Sequence, residues 1–168
     1  SIGATASEIA GVLSNLLGSG AAEIAAALKS VGKTAAEIAS AVSGVLSTTA
    51  EAMSAILKNI GFSASDIAGS LKDVYGLSGD AAAAILKGIG VGAGDIAKAL
   101  SDVFSFGADR ITSILKNLSF PVSDIAGALF NALALPAVRV ADLLKGIGAS
   151  AAAIADFFKG VNIPNIGN

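Results

Sequence analysis

The sequence repeats itself every 29 residues, and this period limits the chain to folds that are themselves repetitive. Within each period an acidic residue is followed directly by isoleucine and alanine, as in Glu8-Ile9-Ala10. The acidic series keeps this step without an insertion and comprises Glu8, Glu37, Asp66, Asp95 and Asp124. Such a period predicts an array of equivalent supersecondary units, because each unit buries its apolar face only against its neighbours.

A second series in each period marks the end of a helix. A leucine–lysine pair recurs, and a glycine stands three residues after the lysine in every period but one, where Ser119 replaces it. A lysine in the last turn complements the helix dipole, and a glycine just beyond the helix favours a left-handed C-cap. The lysines, called here the lysine ladder, are Lys29, Lys58, Lys87, Lys116 and Lys145.

The other part of each period begins with a helix-capping signal. Thr5, Thr34 and Ser63 each stand three residues before the acidic residue of their period. A hydroxyl there accepts a hydrogen bond from an amide of the first helical turn, while the acid reaches back to the cap amide. Gly92 and Pro121 stand at the same position later in the chain and lack the hydroxyl. Each period therefore contains two short helices, A and then B.

Turn residues mark the boundary between the two helices. Helix A is predicted to stop near Gly18, Ser47, Gly76, Ser105 and Ala134. Helix B is predicted to start after Gly20, Thr49, Ser78, Gly107 and Pro136. Helices of about a dozen residues are marginal alone in water, so neighbouring helices must hold them. The sequence thus predicts an all-α fold, an α-solenoid of about 5.5 tandem two-helix repeats with roughly 11 short helices.

The two ends of the chain relate differently to the period. The opening Ser1-Ile2-Gly3 aligns one period before Ser30-Val31-Gly32, which is the end of a B helix. We therefore expect residues 1–168 to form a single helical-repeat domain that was processed from the C-terminal part of a longer repeat array. Residues 162–168 break the period and are predicted to be a terminal tail.

Composition excludes several classes of protein. The mean hydropathy of +0.75 is high and raises the question of a membrane-spanning helix. However, the longest uncharged stretches, such as Ile125–Val138, have 14 residues, whereas a membrane-spanning helix needs about 20, so we expect no transmembrane span. A net charge of −2 and an aromatic content of 5% provide neither a phosphate-binding surface nor a stacking platform, so nucleic acid is not an expected partner.

The two charged series are candidates for binding sites. Stacked repeats would align the lysine ladder in a row, with steps of about 10 Å, as a candidate site for an anionic polymer or an anionic lipid surface. The favoured alternative is that each lysine complements a helix dipole. Calcium needs about six to eight oxygen ligands at one site, so the acidic series is assigned to helix capping. The chain has neither histidine nor cysteine, and no residue is assigned as catalytic or as a metal ligand.

The apolar content leaves more than one function open. Hydrophobic residues make up 54% of the chain and charged residues 14%. The simplest interpretation is a compact solenoid with a surface of alanine, serine and glycine. The alternatives are an apolar face for self-association, or a groove that carries an apolar small molecule such as a lipid or a polyene. A third interpretation is a membrane-surface-active helical protein, because segments such as ITSILKNLSF (residues 111–120) have an amphipathic, cationic pattern.

The repeat as a whole has the pattern (S/T)-x-x-(D/E)-I-A-x-x-L followed by L-K-x-I-G. It resembles the tandem two-helix α-solenoid repeats of microbial secreted or surface proteins. The resemblance implies an extracellular or cell-surface location and a place among other modules of a larger protein. We therefore predict a non-enzymatic structural or interaction scaffold without a cofactor, whose partner is another protein or a second copy of this chain.

Overall fold

The computed structural model describes residues 4–17 and 20–161, which form eleven α-helices joined by short loops. No strand occurs in these ranges, so the predicted all-α helical-repeat fold is confirmed. The chain divides into two compact units, Ser1–Val91 and Gly92–Asn168. The opening Ser1-Ile2-Gly3 and the predicted tail at 162–168 lie outside the described residues.

The first unit contains three A–B helix pairs. Its helices are α1 (Ala6–Leu17), α2 (Ala21–Ser30), α3 (Ala35–Leu46), α4 (Ala50–Asn59), α5 (Ala64–Asp73) and α6 (Gly79–Gly88). The A helices pack in sequence, α1 on α3 and α3 on α5, and the B helices do the same, α2 on α4 and α4 on α6. Equivalent helices therefore stack on each other, as the period predicts.

The second unit contains the remaining five α-helices. They are α7 (Ala93–Phe104), α8 (Ala108–Asn117), α9 (Val122–Gly127), α10 (Ala137–Gly146) and α11 (Ala151–Gly160). Helix α9 continues directly into a π-helical turn over Ala128–Ala132. Helix α9 and its π-helical turn pack against α7, α11 packs on α9, and α10 packs on α8. The same order of stacking thus holds in this unit.

The residues that recur every 29 positions form the core of both units. The isoleucine after each acid is at most 1% exposed in the second to fifth repeats, and the alanine after it is fully buried. The leucine before each ladder lysine is also fully buried. Each buried leucine or isoleucine side chain contributes about 1.5–3 kcal/mol to folding. This set comprises Ile38, Ile67, Ile96, Ile125, Leu28, Leu57, Leu86, Leu115 and Leu144.

Side-chain hydroxyls cap the starts of helices, and the predicted weak caps are found where expected. Thr34 Oγ1 accepts a hydrogen bond from the Glu37 amide at 3.3 Å, and Ser63 Oγ accepts one from the Asp66 amide at 3.1 Å. Gly92, before α7, and Pro121, before α9, make no side-chain cap bond. Glycine at the N-cap is only a few tenths of a kcal/mol less stable than a hydroxyl residue, so the loss of local support at Gly92 is small.

The B helices end in left-handed caps at the glycine series. The backbone angle φ ranges from +59° at Ser119 to +86° at Gly61. The Gly61 amide donates to the Lys58 carbonyl at 2.9 Å, and the Phe62 amide donates to the Leu57 carbonyl at 3.0 Å. This pair of bonds defines a Schellman motif, which satisfies carbonyl groups that the helix end leaves free. The positive φ explains why glycine stands at this position in four of the five caps, and Ser119 adopts the same conformation in the fifth.

Two A helices end differently from the others. Helix α5 stops at Asp73, so Tyr75 lies in the following loop, where its hydroxyl lies 2.5 Å from Ser43 Oγ of the preceding repeat. In the π-helical turn, the Leu133 amide donates to the Ala128 carbonyl five residues earlier, at 3.0 Å. Neither feature follows from the repeat pattern. Tyr75 is the only tyrosine of the chain, and Leu133 recurs as Leu46 in α3, which is a regular α-helix.

A pair of glycine substitutions tests the left-handed caps. Gly61→Ala places a Cβ on a residue with φ of +86° and 3.3 Å from Lys29 Nζ, so we expect a loss of about 1–2 kcal/mol. Gly69→Ala is the matched control, because it lies inside α5 with open space around the added Cβ, and we expect a gain of about 0.5–1 kcal/mol. Urea unfolding followed by circular dichroism measures both. Equal effects of the two substitutions would contradict the assigned role of Gly61.

Candidate functional site

Three lysines of the ladder each connect a B helix to the following B helix of the same unit. Lys29 Nζ donates a hydrogen bond to the Ile60 carbonyl, and Lys58 Nζ donates to the Ile89 carbonyl. Lys116 Nζ donates to the Ile147 carbonyl at 2.6 Å. Each acceptor stands 31 residues after its lysine and is the C-cap residue of the next B helix. One ammonium group therefore faces the C-terminal carbonyls of two helices, where both helix dipoles favour a cation.

The surroundings of Lys29 fix its position further. Its Nζ lies 4.7 Å from the centroid of the Phe62 ring, which is a cation–π contact. A Cβ at Gly61 would lie 3.3 Å from this Nζ, so the glycine leaves room for the ammonium group. Glycine at the cap thus serves two needs, the positive φ and the approach of the lysine.

The remaining two ladder members hold the same repeat position. Lys87 is half-buried near the end of α6, and Lys145 is exposed near the end of α10. Binding of an anionic polymer by the ladder stays a prediction, and it competes with the carbonyl bonds that three of the ammonium groups already make.

The acidic series lies in the first turns of the A helices. Glu8 Oε2 accepts from the Thr5 amide at 2.7 Å, and Glu37 Oε2 accepts from the Thr34 amide at 2.9 Å. The shorter Asp66 also reaches its cap amide, at 3.2 Å. Asp95 and Asp124 occupy the first turns of α7 and α9 behind the glycine and proline caps. Among residues 4–17 and 20–161, no three acidic side chains come close enough to hold a metal ion.

These capping bonds lower the pKa values of two glutamates. The backbone amide of Thr34, then its hydroxyl, and then the ammonium group of Lys33 hold the pKa of Glu37 below its usual value. Thr5 acts in the same way on the pKa of Glu8. Both carboxylates therefore stay ionised near neutral pH, where their charge also suits the helix N-terminus.

Three depressions open on the surface of the described residues. The first, in the second unit, has a volume of about 210 Å³ and contains an ion pair of 2.7 Å between Arg139 and Asp109. The second lies on α1 at Ile9 and Val12 and also measures about 210 Å³. The third, of about 400 Å³, lies along α10 and α11 and is lined by Ala141, Lys145, Ala149, Ala151, Ile154 and Ala155. Hydroxyl and carboxylate groups of Thr112, Ser113 and Asp142 also line the first depression, whereas the other two are lined mainly by apolar side chains.

A cluster of hydroxyl groups is the polar feature that the sequence did not indicate. Ser43 Oγ lies 3.0 Å from Thr48 Oγ1 and 2.5 Å from Tyr75 Oη, and the tyrosine also donates to the Thr48 carbonyl at 3.4 Å. The three residues come from two repeats, so sequence spacing gave no signal. Their hydroxyls bond to each other, which links the α5–α6 loop to the preceding repeat.

No helix in the described part of the chain is both long enough and apolar enough to cross a membrane. The longest helices have 12 residues, which corresponds to about 18 Å of rise, against a hydrocarbon core of about 30 Å.

Removing one ladder lysine tests its role in stacking. Lys29→Met keeps the aliphatic stem but removes the bond to the Ile60 carbonyl and the contact with Phe62, so we expect a loss of about 1–2 kcal/mol. Lys98→Met is the control, because Lys98 is 61% exposed and pairs only within its own helix with Asp102, so we expect a change within about 0.5 kcal/mol. Thermal and urea unfolding measure both. A Lys29→Met variant as stable as the wild type would contradict the role of Lys29 in stacking.

The lowered glutamate pKa values predict a specific dependence of stability on pH. A carboxylate with a lowered folded pKa stabilises the fold fully above its unfolded pKa of about 4.3, and this contribution disappears as pH falls through the folded pKa. Glutamine at Glu8 and Glu37 keeps a capping oxygen but does not ionise. We expect the double variant Glu8→Gln/Glu37→Gln to melt below the wild type at pH 7 and to approach it between about pH 4 and pH 2. A difference in melting temperature between the variant and the wild type that stays constant over this pH range would contradict the capping role of the two glutamates.

Comparison with known proteins gives no relative for this chain. No family model, no curated protein and no solved structure matches it. The functional argument therefore rests on the contacts, burial and charge of the residues described above.

Proposed function

We propose that this chain is a non-enzymatic structural scaffold built of helical repeats, with exposed small and apolar residues that take protein partners. One observation carries the proposal: six of the recurring ionic groups, three lysines and three acids, make bonds that hold helices or successive repeats together. Lys29 and Lys58 bond to the next repeat, and Glu8 and Glu37 cap their own helices. Charged groups that are used in this way serve the fold of the array, which supports a structural role.

The exposed surface supports contact with other proteins. Val31, at the end of α2, is 61% exposed, and Val138, in α10, is 75% exposed. Burial of such side chains against a partner stabilises the complex by about 25 cal/mol per Å² of apolar surface removed from water. The resemblance of the repeat to those of microbial secreted or surface proteins is the ground for proposing an extracellular or cell-surface location.

The carrier hypothesis has less support than the scaffold. Pockets for small molecules usually enclose about 300–1,000 Å³ and bury most of the ligand. The depressions described above measure about 210–400 Å³ and open to solvent. The core positions between stacked helices are already filled, with residues such as Leu57 and Ile67 at most 1% exposed.

Copurification separates the scaffold from the carrier. The chain isolated from its native source is examined by native mass spectrometry and then extracted with organic solvent. We expect the mass of the polypeptide alone, and no stoichiometric lipid or chromophore in the extract. A photo-crosslinking residue at Val138 should in turn yield discrete protein adducts, whereas one at the exposed acidic position Glu51 should not. A stoichiometric apolar molecule in the extract would support the carrier and overturn the scaffold.

A further inference from the structure

The end of each B helix is an exposed edge of the stack in both units. The last residue of the helix is exposed in all five B helices, at Ser30, Asn59, Gly88, Asn117 and Gly146. The cap residue two positions later is exposed as well, at Gly32, Gly61, Gly90, Ser119 and Gly148. A group attached at this edge would therefore extend into solvent without displacing the buried residues that stack the helices.

The edge at the end of α8 differs in sequence from the other four. Ser119 replaces the cap glycine there, with φ of +59°. Glycine adopts this left-handed conformation freely, whereas a residue with a side chain does so at a steric cost. The Ser119 amide donates to the Lys116 carbonyl at 2.8 Å, as the glycine amides do in the other caps, and the Ser119 hydroxyl bonds to no other described residue. The fold therefore gives no reason for serine at this cap.

The serine completes a modification motif in the sequence. Asn117-Leu118-Ser119 is the one place in residues 1–168 where asparagine is followed, after a residue other than proline, by serine or threonine. This tripeptide is the acceptor for N-linked glycosylation in secreted proteins. The equivalent Asn59-Ile60-Gly61 has the asparagine at the same helix end without the hydroxyl. The hydroxyl of Ser119 is thus what distinguishes this edge from the others.

From the exposed edge and the serine that the fold does not explain, we propose that Asn117 is a site of N-linked glycosylation. Both residues that the motif requires, Asn117 and Ser119, are exposed at the end of α8. The inference rests on the extracellular or cell-surface location proposed above, because a chain meets the glycan donor on its secretory route. The glycan gives the scaffold a polar, solvated group at one edge of the stack.

The reaction transfers an oligosaccharide from a lipid pyrophosphate carrier to the side-chain amide of Asn117. Nδ2 of Asn117 forms a bond to the anomeric carbon of the first sugar, and the bond from that carbon to the pyrophosphate oxygen breaks. The lipid pyrophosphate leaves with the electron pair, and one proton of Nδ2 passes to a base of the transferring enzyme. The step is a substitution, so it needs neither an oxidant nor a reductant.

The order of synthesis keeps the motif accessible before the chain folds. Helix α8 has ten residues, and a helix of this length is marginal alone in water. Lys116, next to Asn117, donates to the Ile147 carbonyl, which lies 31 residues further along the chain. The end of α8 therefore gains this contact only after residue 147 has been synthesised, and until then the motif is available to the transferring enzyme.

Peptide mapping of the protein from its native source tests the assignment. A protease that cleaves before aspartate releases residues 109–123, with Asn117 inside the peptide. We expect this peptide to be heavier than its sequence by the mass of a glycan. Treatment with peptide-N-glycosidase should remove the glycan and convert Asn117 to aspartate. The peptide that contains Asn59 is the internal control, and we expect it to be unmodified.

Two substitutions at one position separate the motif from the fold. Ser119→Gly, produced in the same source, should lose the glycan completely, although it restores the residue that the other four B-helix caps carry and should fold. Ser119→Thr is the matched control, because threonine also completes the motif, and it should keep the glycan. Circular dichroism checks the helical content of both variants. Asn117→Gln, which removes the acceptor nitrogen's asparagine, should lose the glycan as Ser119→Gly does.

An unmodified wild-type peptide 109–123 would overturn the glycosylation site, and so would a glycan that persists in Ser119→Gly. Labelling of intact cells with a reagent that does not cross membranes, together with analysis of the medium, tests the location separately. A chain found outside the cell with Asn117 unmodified would overturn the glycosylation site alone, whereas a chain found only inside would overturn the location as well. The scaffold proposal is tested by crosslinking at Val138, which involves neither residue of the motif.

Discussion

The whole structure depends on contact between equivalent helices of successive repeats. Helices of 10 to 12 residues are marginal alone, because the cost of nucleating a helix is divided among few hydrogen bonds. Alanines such as Ala39 and Ala68, fully buried between stacked helices, let the A helices approach closely. The ladder lysines add a polar link between successive B helices, as from Lys29 to the Ile60 carbonyl. Stability in such an array is a sum of contacts between neighbours.

Much of the fold could be predicted because its information is local and repeated. The recurring isoleucine and leucine positions are the core, and Gly61 and its equivalents are the left-handed caps. The hydroxyl caps at Thr34 and Ser63 also lie where the sequence places them. Each of these signals concerns residues a few positions apart, so rules that relate residues close in sequence were sufficient to predict them.

The features that escaped prediction involve contacts between repeats. The sequence assigned Lys29 to its own helix dipole, whereas its ammonium group reaches the end of the next B helix, a partner 31 residues away. The bond from Tyr75 to Ser43 spans 32 residues and depends on the early end of α5. Spacing along one helix gives no signal for either contact, because each needs the relative position of two stacked helices.

An array held by neighbour contacts couples its stability to its partners. Among the described helices, α1 and α11 each pack on one other A helix, and their Ile9 and Ile154 are half-buried, whereas the equivalent isoleucines of the other A helices are at most 1% exposed. A molecule that covers such positions and binds only the folded state stabilises that state by an amount that grows with the concentration of free ligand. The helices with least support within the chain are therefore those that gain most from association. In the scaffold that we propose, the binding surface and the core use the same repeat positions, which differ in how far neighbouring helices cover them.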